Sequence, residues 1–437
     1  LDSGYIQVYM NRGYLFDQLG HPEKALPDFS QAISLDPEDS GKFSTRARIY
    51  EQQKEYDLAL ADWERASALS PRDAWLHAIQ GTLYMTRKQY PQALVAFNQA
   101  IAIDPKYAWA HTLRGDAHIQ LAQFPQAQAD YQQAAALDKD YSYQADSKKE
   151  DFEALKQSQQ SIERLLKTGH AGPSLALAYF DRGLAYQNLG NAALALKDYS
   201  EAILLNPRYL EAYSARAGVF RELSEYLPAI VEYNFLIKLE PNNSDHYYYR
   251  AQAHSLQGDF QEALADWDAY FNLLSPEQAK SISYGYLQRV EAQLALKQYP
   301  NVIAACNRFI GQGTYREQDL LLKRGEAYLG LGRYEEAIAD FQEVMHKQPE
   351  SQVFDKVGQA YLGLNHKLLA LQAFARATEN SPGNVETYLN HAKLAQTLGQ
   401  NDKARDDWEM ACWLGEQSAC DQLSQAAGDA SVSQQPE

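Results

Sequence analysis

The chain has 437 residues and a formal net charge of −17, with 57 acidic side chains against 40 lysines and arginines. Binding to a nucleic-acid backbone requires clustered cations, so this charge argues against nucleic acid as the main partner. The mean hydropathy is −0.52, and no apolar run approaches the roughly 18 to 20 residues that a membrane-spanning helix needs. The first residue is Leu1 rather than methionine, so we expect a processed or trimmed chain.

The sequence repeats itself with a period close to 34 residues. Segments 12–37, 182–207 and 324–349 are copies of one pattern that begins with Arg-Gly and ends with proline. A fixed period of this length is typical of a solenoid, in which each repeat packs only against its neighbours.

Each copy carries small and aromatic residues at fixed positions. A glycine or alanine is usually followed by a ring three residues later, by an alanine twelve residues later and by a second ring four residues after that alanine. The first copy shows this with Gly13, Phe16, Ala25 and Phe29. At these spacings the small residues and rings share one face of each of two helices, so every copy predicts a closely packed helix pair.

This pattern resembles the tetratricopeptide repeat, a helix–turn–helix unit of about 34 residues. The resemblance covers almost the whole chain, with ten good copies and a degenerate one at 283–317, where Val290 replaces the small residue and Cys306 replaces the ring. It implies an all-α fold. The expected architecture is a right-handed α-solenoid, or superhelix, of about eleven helix pairs with a bridging helix and a C-terminal cap helix.

The pattern predicts six segments in chain order. Four repeats are expected in 1–139, a bridging or capping helix with a hinge loop in 140–174, repeats five to seven in 175–275, repeats eight to eleven in 276–415, a cap helix in 416–427 and a disordered tail in 428–437. The tail is small and polar, which favours disorder at a chain end.

Residues 140–174 depart most from the pattern. They lack the small residues of the repeat, while Phe152, Leu155 and Ile162 form an apolar stripe at helical spacing. Two interpretations are open, a repeat that has lost its pattern and one long helix that bridges two arrays, and we favour the long helix. The loop at 168–173 would end it and is the best candidate for a hinge.

No combination of residues predicts a catalytic or metal site. The ten histidines are scattered, and the sequence contains no HExxH motif, no Cys/His set with zinc spacing, no Gly-x-Ser-x-Gly and no Walker loop. We therefore predict that the chain is not an enzyme and requires no cofactor.

Tetratricopeptide arrays bind peptides or protein surfaces in a concave groove formed by the first helices of the repeats, so the resemblance implies a site there. The positions that face this groove are unusually apolar in the third and fourth repeats, which hold two tryptophans 34 residues apart. Aromatic side chains are common anchors of protein interfaces. The predicted groove residues are Trp75, Ile79, Met85, Trp109, Leu113, Ile119, Tyr248, Tyr249 and Tyr284. The alternative is that the two tryptophans pack between neighbouring helices.

The groove positions also bear on the partner. In this family a carboxylate clamp of lysine, asparagine and arginine side chains holds the acidic tails of heat-shock chaperones, but the equivalent positions here include Met10, Thr45 and Ile79. With a net charge of −17 we expect a neutral, hydrophobic or basic partner segment rather than an acidic one.

The expected function is a non-enzymatic scaffold or adaptor for protein–protein contacts, in a bacterial assembly or secretion complex. The alternative is an accessory subunit that presents or regulates an enzyme, or that binds a carbohydrate or peptide through the aromatic groove.

The three cysteines fall into two groups. Cys306 is predicted to be a buried small hydrophobic residue. Cys412 and Cys420 flank Gly415, a pattern similar to that of cysteine-rich helical-repeat proteins of bacteria, in which cysteines at this spacing tie consecutive helices. The resemblance implies a disulfide, and two reduced thiols in a cytosolic protein are the alternative. A disulfide would favour a periplasmic or secreted location over a cytoplasmic one.

Overall fold

The computed structural model describes residues 3–275, 283–311, 316–347 and 353–432. Within these ranges the chain forms 24 α-helices and no strand. The contacts within the chain define two compact units, residues 1–232 and residues 233–437.

The first unit consists of twelve complete helices and the first part of a thirteenth. They are α1 (Ser3–Gln18), α2 (Pro22–Leu35), α3 (Ser40–Gln52), α4 (Tyr56–Leu69), α5 (Ala74–Thr86), α6 (Tyr90–Ile103), α7 (Ala108–Gln120), α8 (Phe124–Leu137), α9 (Ser142–Lys167), α10 (Pro173–Asn188), α11 (Ala192–Leu205), α12 (Leu210–Glu222) and α13 (Tyr226–Leu239).

The second unit holds the remainder of α13 and the helices that follow it in the described ranges. They are α14 (Ser244–Gln257), α15 (Phe260–Leu273), α16 (Ser283–Ala295), α17 (Tyr299–Asn307), α18 (Glu317–Gly330), α19 (Tyr334–Lys347), α20 (Phe354–Gly363), α21 (Lys367–Asn380), α22 (Val385–Thr397), α23 (Asn401–Trp413) and α24 (Gln417–Val432). The degenerate repeat forms the pair α16 and α17, in which Val290 and Cys306 share one buried cluster.

The helix pairs are held together by a close approach between a small residue of the first helix and a ring of the second. A Cβ atom added to Gly81 would lie 2.3 Å from the ring of Phe97, and one added to Gly358 would lie 2.6 Å from the ring of Phe374. Both rings are fully buried. The glycine is therefore needed for the two backbones to come this close.

Each turn inside a pair contains one residue in the left-handed region, seven positions after the small residue. Glycine occupies several of these turns, but Lys54, Lys88 and Ala122 have φ of +62°, +58° and +58°. The next backbone N–H then donates to a carbonyl five residues back, as from Glu55 to Tyr50 at 2.8 Å. This arrangement satisfies the last carbonyls of the first helix and turns the chain into the second.

Helix α9 is one continuous helix of 26 residues. Of the two interpretations of residues 140–174, the structure therefore has the long helix. Its first half packs on α8, where the ring centroids of Phe152 and Tyr131 are 6.3 Å apart. Its second half packs on α10, where Ile162 joins a buried cluster with Leu175 and Ala178. The helix thus links the fourth repeat to the repeat that begins with α10.

The fourth repeat also touches the turn between α10 and α11 directly. The side-chain amide of Asn191 donates to the carbonyl of Ile119 at 2.9 Å, and the rings of Phe124 and Tyr186 stack with centroids 5.4 Å apart. Because these contacts continue the core past α9, the first compact unit runs through the predicted hinge loop at 168–173. Its boundary lies within α13 instead.

The C-terminal helix α24 corrects one prediction. The expected disordered tail was 428–437, whereas residues 428–432 continue the helix. The extension contains Gly428 and Asp429, whose helix propensity is low, so intrinsic propensity does not explain it. Residues 433–437 lie outside the described residues.

Candidate functional site

Trp75 is held at the start of α5 by the turn that precedes it. The Asp73 carboxylate accepts a hydrogen bond from the backbone N–H of Trp75 at 3.0 Å and so caps the helix. The indole of Trp75 meets the buried ring of Trp63 edge-on, with centroids 5.8 Å apart. Trp75 is nevertheless 45% exposed, so nearly half of its surface faces solvent.

Trp109 occupies the same position one repeat later, but it is more enclosed. It is half-buried and packs in a cluster with Ala78 of α5 and Leu113 of its own helix. The Tyr107 ring lies 5.9 Å from it. Trp109 therefore packs between α5 and α7, as the alternative interpretation of the two tryptophans expects. Trp75 also contacts a neighbouring helix, through Trp63 of α4, but it keeps more of its surface exposed.

The other predicted groove residues of these repeats divide into two groups. Ile79, Met85 and Leu113 are half-buried at the edges of the core and retain exposed surface. Ile119 is different, since it is only 1% exposed and lies within the core that surrounds α9. Its prediction as a groove residue is wrong, because the turn at Asn191 covers this end of α7.

A cavity of about 910 Å³ opens beside Trp75, between the turn leading into α5 and the turn leading into α7. Its walls combine aromatic, aliphatic and charged side chains. They include Arg72, Asp73, Trp75, Ile103, Asp104 and Tyr107. The sequence pattern did not indicate Ile103 or Tyr107, because both lie at the junctions between pairs rather than on the predicted groove face.

At the second predicted surface, the rings of Tyr248 and Tyr249 pack against other aromatic rings of the chain. Tyr248 lies 5.3 Å from both Trp267 and Tyr270, and Tyr249 stacks on Tyr233 at 6.0 Å. The two tyrosines are half-buried by this packing. Tyr284 lies in α16, but its side chain is outside the described residues.

A half-buried carboxylate, that of Asp116, lies on α7. The hydroxyl of Tyr131 donates to the Asp116 carboxylate, and Lys148 of α9 lies 5.1 Å from the Tyr131 ring. Burial raises the pKa of Asp116, while the Tyr131 hydrogen bond and the charge of Lys148 oppose the shift. The surroundings of Asp116 thus disfavour its ionised form.

Sequence reasoning missed a ladder of ion pairs that runs through both units. The arginine just before the small residue donates to a buried carboxylate sixteen residues later, on the second helix of the same pair. The pairs are Arg12–Asp28, Arg46–Asp62, Arg114–Asp130, Arg182–Asp198, Arg216–Glu232, Arg250–Asp266 and Arg324–Asp340. The spacing of sixteen was visible in the repeated text and could have revealed them.

Many of these arginines also reach the preceding pair. Arg46 donates to the Ser30 hydroxyl at 2.9 Å, and Arg114 donates to the Asn98 amide oxygen at 2.8 Å. One guanidinium therefore joins three helices, which fixes the first helices and the groove positions that they carry. These residues position the site and are not proposed to contact a ligand.

Cys412 at the end of α23 and Cys420 in α24 form a disulfide, with Cα atoms 4.8 Å apart. It joins the last helix pair to the cap helix. Cys306 is a free, buried thiol. In the described part of the chain, no group of three or more His, Cys, Asp or Glu side chains could hold a metal ion, and no helix there is long and apolar enough to cross a bilayer.

Comparison with protein families matches several of these helix pairs. A family model described as TPR repeat matches residues 81–122, and models described as tetratricopeptide repeat match 6–39, 176–209, 234–265 and 318–351. These segments of the chain are tetratricopeptide repeats. Tetratricopeptide repeat proteins generally mediate protein–protein interactions.

Known relatives share parts of the chain. It is 25% identical over 257 residues to the DnaJ protein P58IPK homolog A of Oryza sativa subsp. japonica, covering 52% of each chain. It is 23% identical over 290 residues to Tetratricopeptide repeat protein 16 of Homo sapiens, covering 58% of this chain and 32% of that one. The matched region thus spans about half or less of these relatives.

Among solved structures, yeast Tom70 aligns with a TM-score of 0.36 and 12% identity over 100% of this chain and 98% of that one. The APC/C hetero-tetramer Cut9–Hcn1 aligns with a TM-score of 0.37 and 13% identity over 98% and 96%.

Proposed function

We propose that the chain is a non-enzymatic scaffold or adaptor whose first unit binds a peptide or protein segment on the face of α5 and α7. The observation that carries the proposal is Trp75, which is 45% exposed and lines an open cavity of about 910 Å³. An exposed tryptophan beside a cavity is the arrangement expected of an interface anchor. The half-buried Ile79 and Leu113 extend the apolar surface along both helices.

The partner segment is neutral, hydrophobic or basic rather than acidic. The net charge of −17 supports this, because an acidic segment would approach against the field of the whole protein. Tyr248 and Tyr249 are a second candidate surface, but their rings already pack against one another.

We place the chain outside the reducing cytosol, in the periplasm or secreted, as part of an assembly or secretion complex. The Cys412–Cys420 disulfide supports this location, since such bonds persist where thiols are not continually reduced. A second candidate function is an accessory subunit that presents an enzyme or grips a carbohydrate, because an exposed indole such as Trp75 can also stack on a sugar ring. Glycan binding by the isolated chain would favour that alternative.

Co-purification from native cells with mass spectrometry tests the proposal. The baits are the unaltered chain, Trp75→Ala and, as a matched control, Leu204→Ala, whose side chain on α11 is 74% exposed away from the cavity. We expect one or a few proteins in stoichiometric amounts with the unaltered chain and the control. Their loss with Trp75→Ala, equivalent to more than about 2 kcal/mol of binding free energy, would identify the anchor.

Two further results would contradict the proposal. Recovery of the same proteins with all three baits would place the interface elsewhere, with Tyr248 and Tyr249 the next residues to change. A sharp fall in the thermal stability of Trp75→Ala would mean that the indole is a core residue, since truncating a buried tryptophan costs about 3 to 5 kcal/mol. Trp109→Ala provides the comparison. Because the Trp109 ring is half-buried, its removal is expected to lower thermal stability more than removal of the Trp75 ring does.

A further inference from the structure

The cavity beside Trp75 has a composition that its apolar walls alone do not explain. Trp75 and Tyr107 present ring surface to it, and Ile103 adds an aliphatic wall. Two carboxylates, Asp73 and Asp104, stand at its edges, and Arg72 is the single cationic side chain among its lining residues. The formal charge of these lining residues is therefore negative, in a chain that is itself strongly acidic.

Both carboxylates are fixed by the turns that carry them. Asp73 accepts a hydrogen bond from the backbone N–H of Trp75, and Asp104 accepts one from that of Lys106, each at 3.0 Å. Burial raises the pKa of Tyr107, and the charges of Tyr141, Asp73 and Asp104 raise it further. Asp73, Asp104 and Tyr107 all line the same cavity.

Aromatic faces beside fixed carboxylates attract cations. The negative face of an indole or phenol ring binds an ammonium or guanidinium group, and the attraction grows when part of the water is removed. A neutral apolar side chain would use the rings but would gain nothing from Asp73 and Asp104. An acidic side chain would be repelled by both.

We propose that this cavity binds a cationic side chain, a lysine or arginine of the partner segment, between Trp75 and Tyr107 with Asp73 and Asp104 as counter-charges. The proposal rests on the proposed function, because it assigns the chemistry of one subsite of that interface. It also defines the orientation of the bound segment. The cationic side chain would lie at the turns, and the apolar residues of the segment would lie along α5 and α7.

The experiment selects decapeptides from a random displayed library on the full-length chain and measures the affinity of the selected peptides. We expect the selected peptides to share a lysine or arginine. Replacing an arginine by its neutral isostere citrulline, or a lysine by acetyl-lysine, should lower affinity about tenfold, as the loss of a partly desolvated cation–aromatic contact and its counter-charges implies. Comparing arginine and lysine forms of one peptide distinguishes the two cations.

Variants of the chain test the same cavity from the other side. The double change Asp73→Asn and Asp104→Asn removes both charges but keeps an oxygen acceptor for each turn. This double variant should bind cationic peptides several-fold more weakly and should bind their citrulline forms with unchanged affinity. Arg72→Gln should raise the affinity for cationic peptides. Asp138→Asn is the matched control, since Asp138 accepts a backbone hydrogen bond in the corresponding turn of the next repeat and does not line the cavity.

The outcomes separate this inference from the proposed function. Selected peptides that lose affinity with Trp75→Ala but carry no shared cation, or bind equally well as citrulline forms, would overturn the cation site and leave the interface in place. Peptides that bind Trp75→Ala as tightly as the unaltered chain, or a library that yields no binder, would overturn both.

Discussion

Ala122 is one of six residues other than glycine that the described part of the chain places in the left-handed region. The left-handed region costs an L-residue with a Cβ roughly 1 to 2 kcal/mol. Glycine at the equivalent turn position elsewhere, for example at Gly190, shows that the turn itself does not require a side chain. The turn geometry is therefore imposed on Ala122 by the two helices that it joins.

We expect Ala122→Gly to raise the stability of the first unit by about 1 kcal/mol, because it relieves this conformational cost. Ala136→Gly is the control: Ala136 is exposed within α8, where glycine lowers stability by about 1 kcal/mol relative to alanine. Urea unfolding measures both. Replacing alanine by glycine should raise the free energy of unfolding at position 122 and lower it at position 136. A loss of stability in both variants would contradict the argument.

Asp116 gives the protein a pH dependence of defined sign. Burial raises its pKa in the folded chain above the unfolded value, so the ionised carboxylate weakens the folded state at neutral pH. That penalty disappears as the pH falls through the folded pKa. Asp116→Asn removes the charge and keeps an acceptor for the Tyr131 hydroxyl. We expect it to stabilise the chain near pH 7, and the gain to shrink as the pH is lowered toward about 4.

Asp138→Asn serves as its control, because Asp138 is exposed and the change keeps an acceptor for its backbone hydrogen bond. Urea midpoints at several pH values make the comparison. A gain from Asp116→Asn that is constant with pH would show that packing, and not charge, is responsible.

At the scale of the helix pair, the ion-pair ladder is the main polar connection between the first and second helix. In its last full member, Arg324 donates two hydrogen bonds to Asp340, at 2.8 Å and 2.6 Å, and the carboxylate is 6% exposed. The next repeat lacks the pair and has Val357 and Ala373 at the same positions. A helix pair can therefore form with an ion pair at these positions, as in α18 and α19, or with two apolar residues, as in α20 and α21.

This comparison predicts strong coupling between the two positions. Arg324→Val alone leaves a buried carboxylate without its partner and should cost about 3 to 5 kcal/mol. The double change Arg324→Val and Asp340→Ala copies the natural arrangement of the next repeat and should cost much less. Hydrogen exchange of α18 and α19 measures the local effect. If the stability losses of Arg324→Val and Asp340→Ala, each measured alone, add up to the loss of the double variant, the two positions are not coupled.

The repeat period was enough to predict the helix pairs and their small residues, because these features depend on local spacing. The long helix was favoured by a different signal, the apolar stripe of Phe152, Leu155 and Ile162. The contact between Asn191 and Ile119 was not predictable in this way. It joins residues 72 positions apart and depends on how α9 sets the fourth repeat beside α10. The buried position of Ile119 follows from that contact, and so the period alone misplaced it on the groove.

At the scale of the whole molecule, the two units differ in what their first helices offer a partner. In the first unit Trp75 and Ile79 keep exposed apolar surface. In the second unit, positions of the same face hold Lys323, Glu326 and Lys356, and Glu326 lies 3.6 Å and 3.0 Å from the two lysines. These charges satisfy one another, whereas the apolar surface of the first unit has no such compensation. The site is therefore proposed in the first unit.

The C-terminal disulfide bears on the cellular compartment in which we propose that the protein works. In the described part of the chain α24 packs mainly on α23, so it buries less apolar surface there than a helix held between two neighbours. A disulfide that closes a loop of eight residues should stabilise this end by about 2 to 3 kcal/mol, chiefly by restricting the unfolded chain. Cys412→Ser with Cys420→Ser should therefore increase hydrogen exchange in residues 417–424 and leave α5 to α7 unchanged.

Alkylation of the protein from its native source tests the compartment, with Cys306 as an internal control. Burial raises the pKa of the Cys306 thiol to about 12, so it should resist alkylation while the chain is folded. After unfolding without reductant, we expect only Cys306 to be labelled, because Cys412 and Cys420 are bonded to each other. Labelling of all three thiols in freshly isolated protein would show that the pair is reduced in the cell, and would remove the reason for placing the chain outside the cytosol.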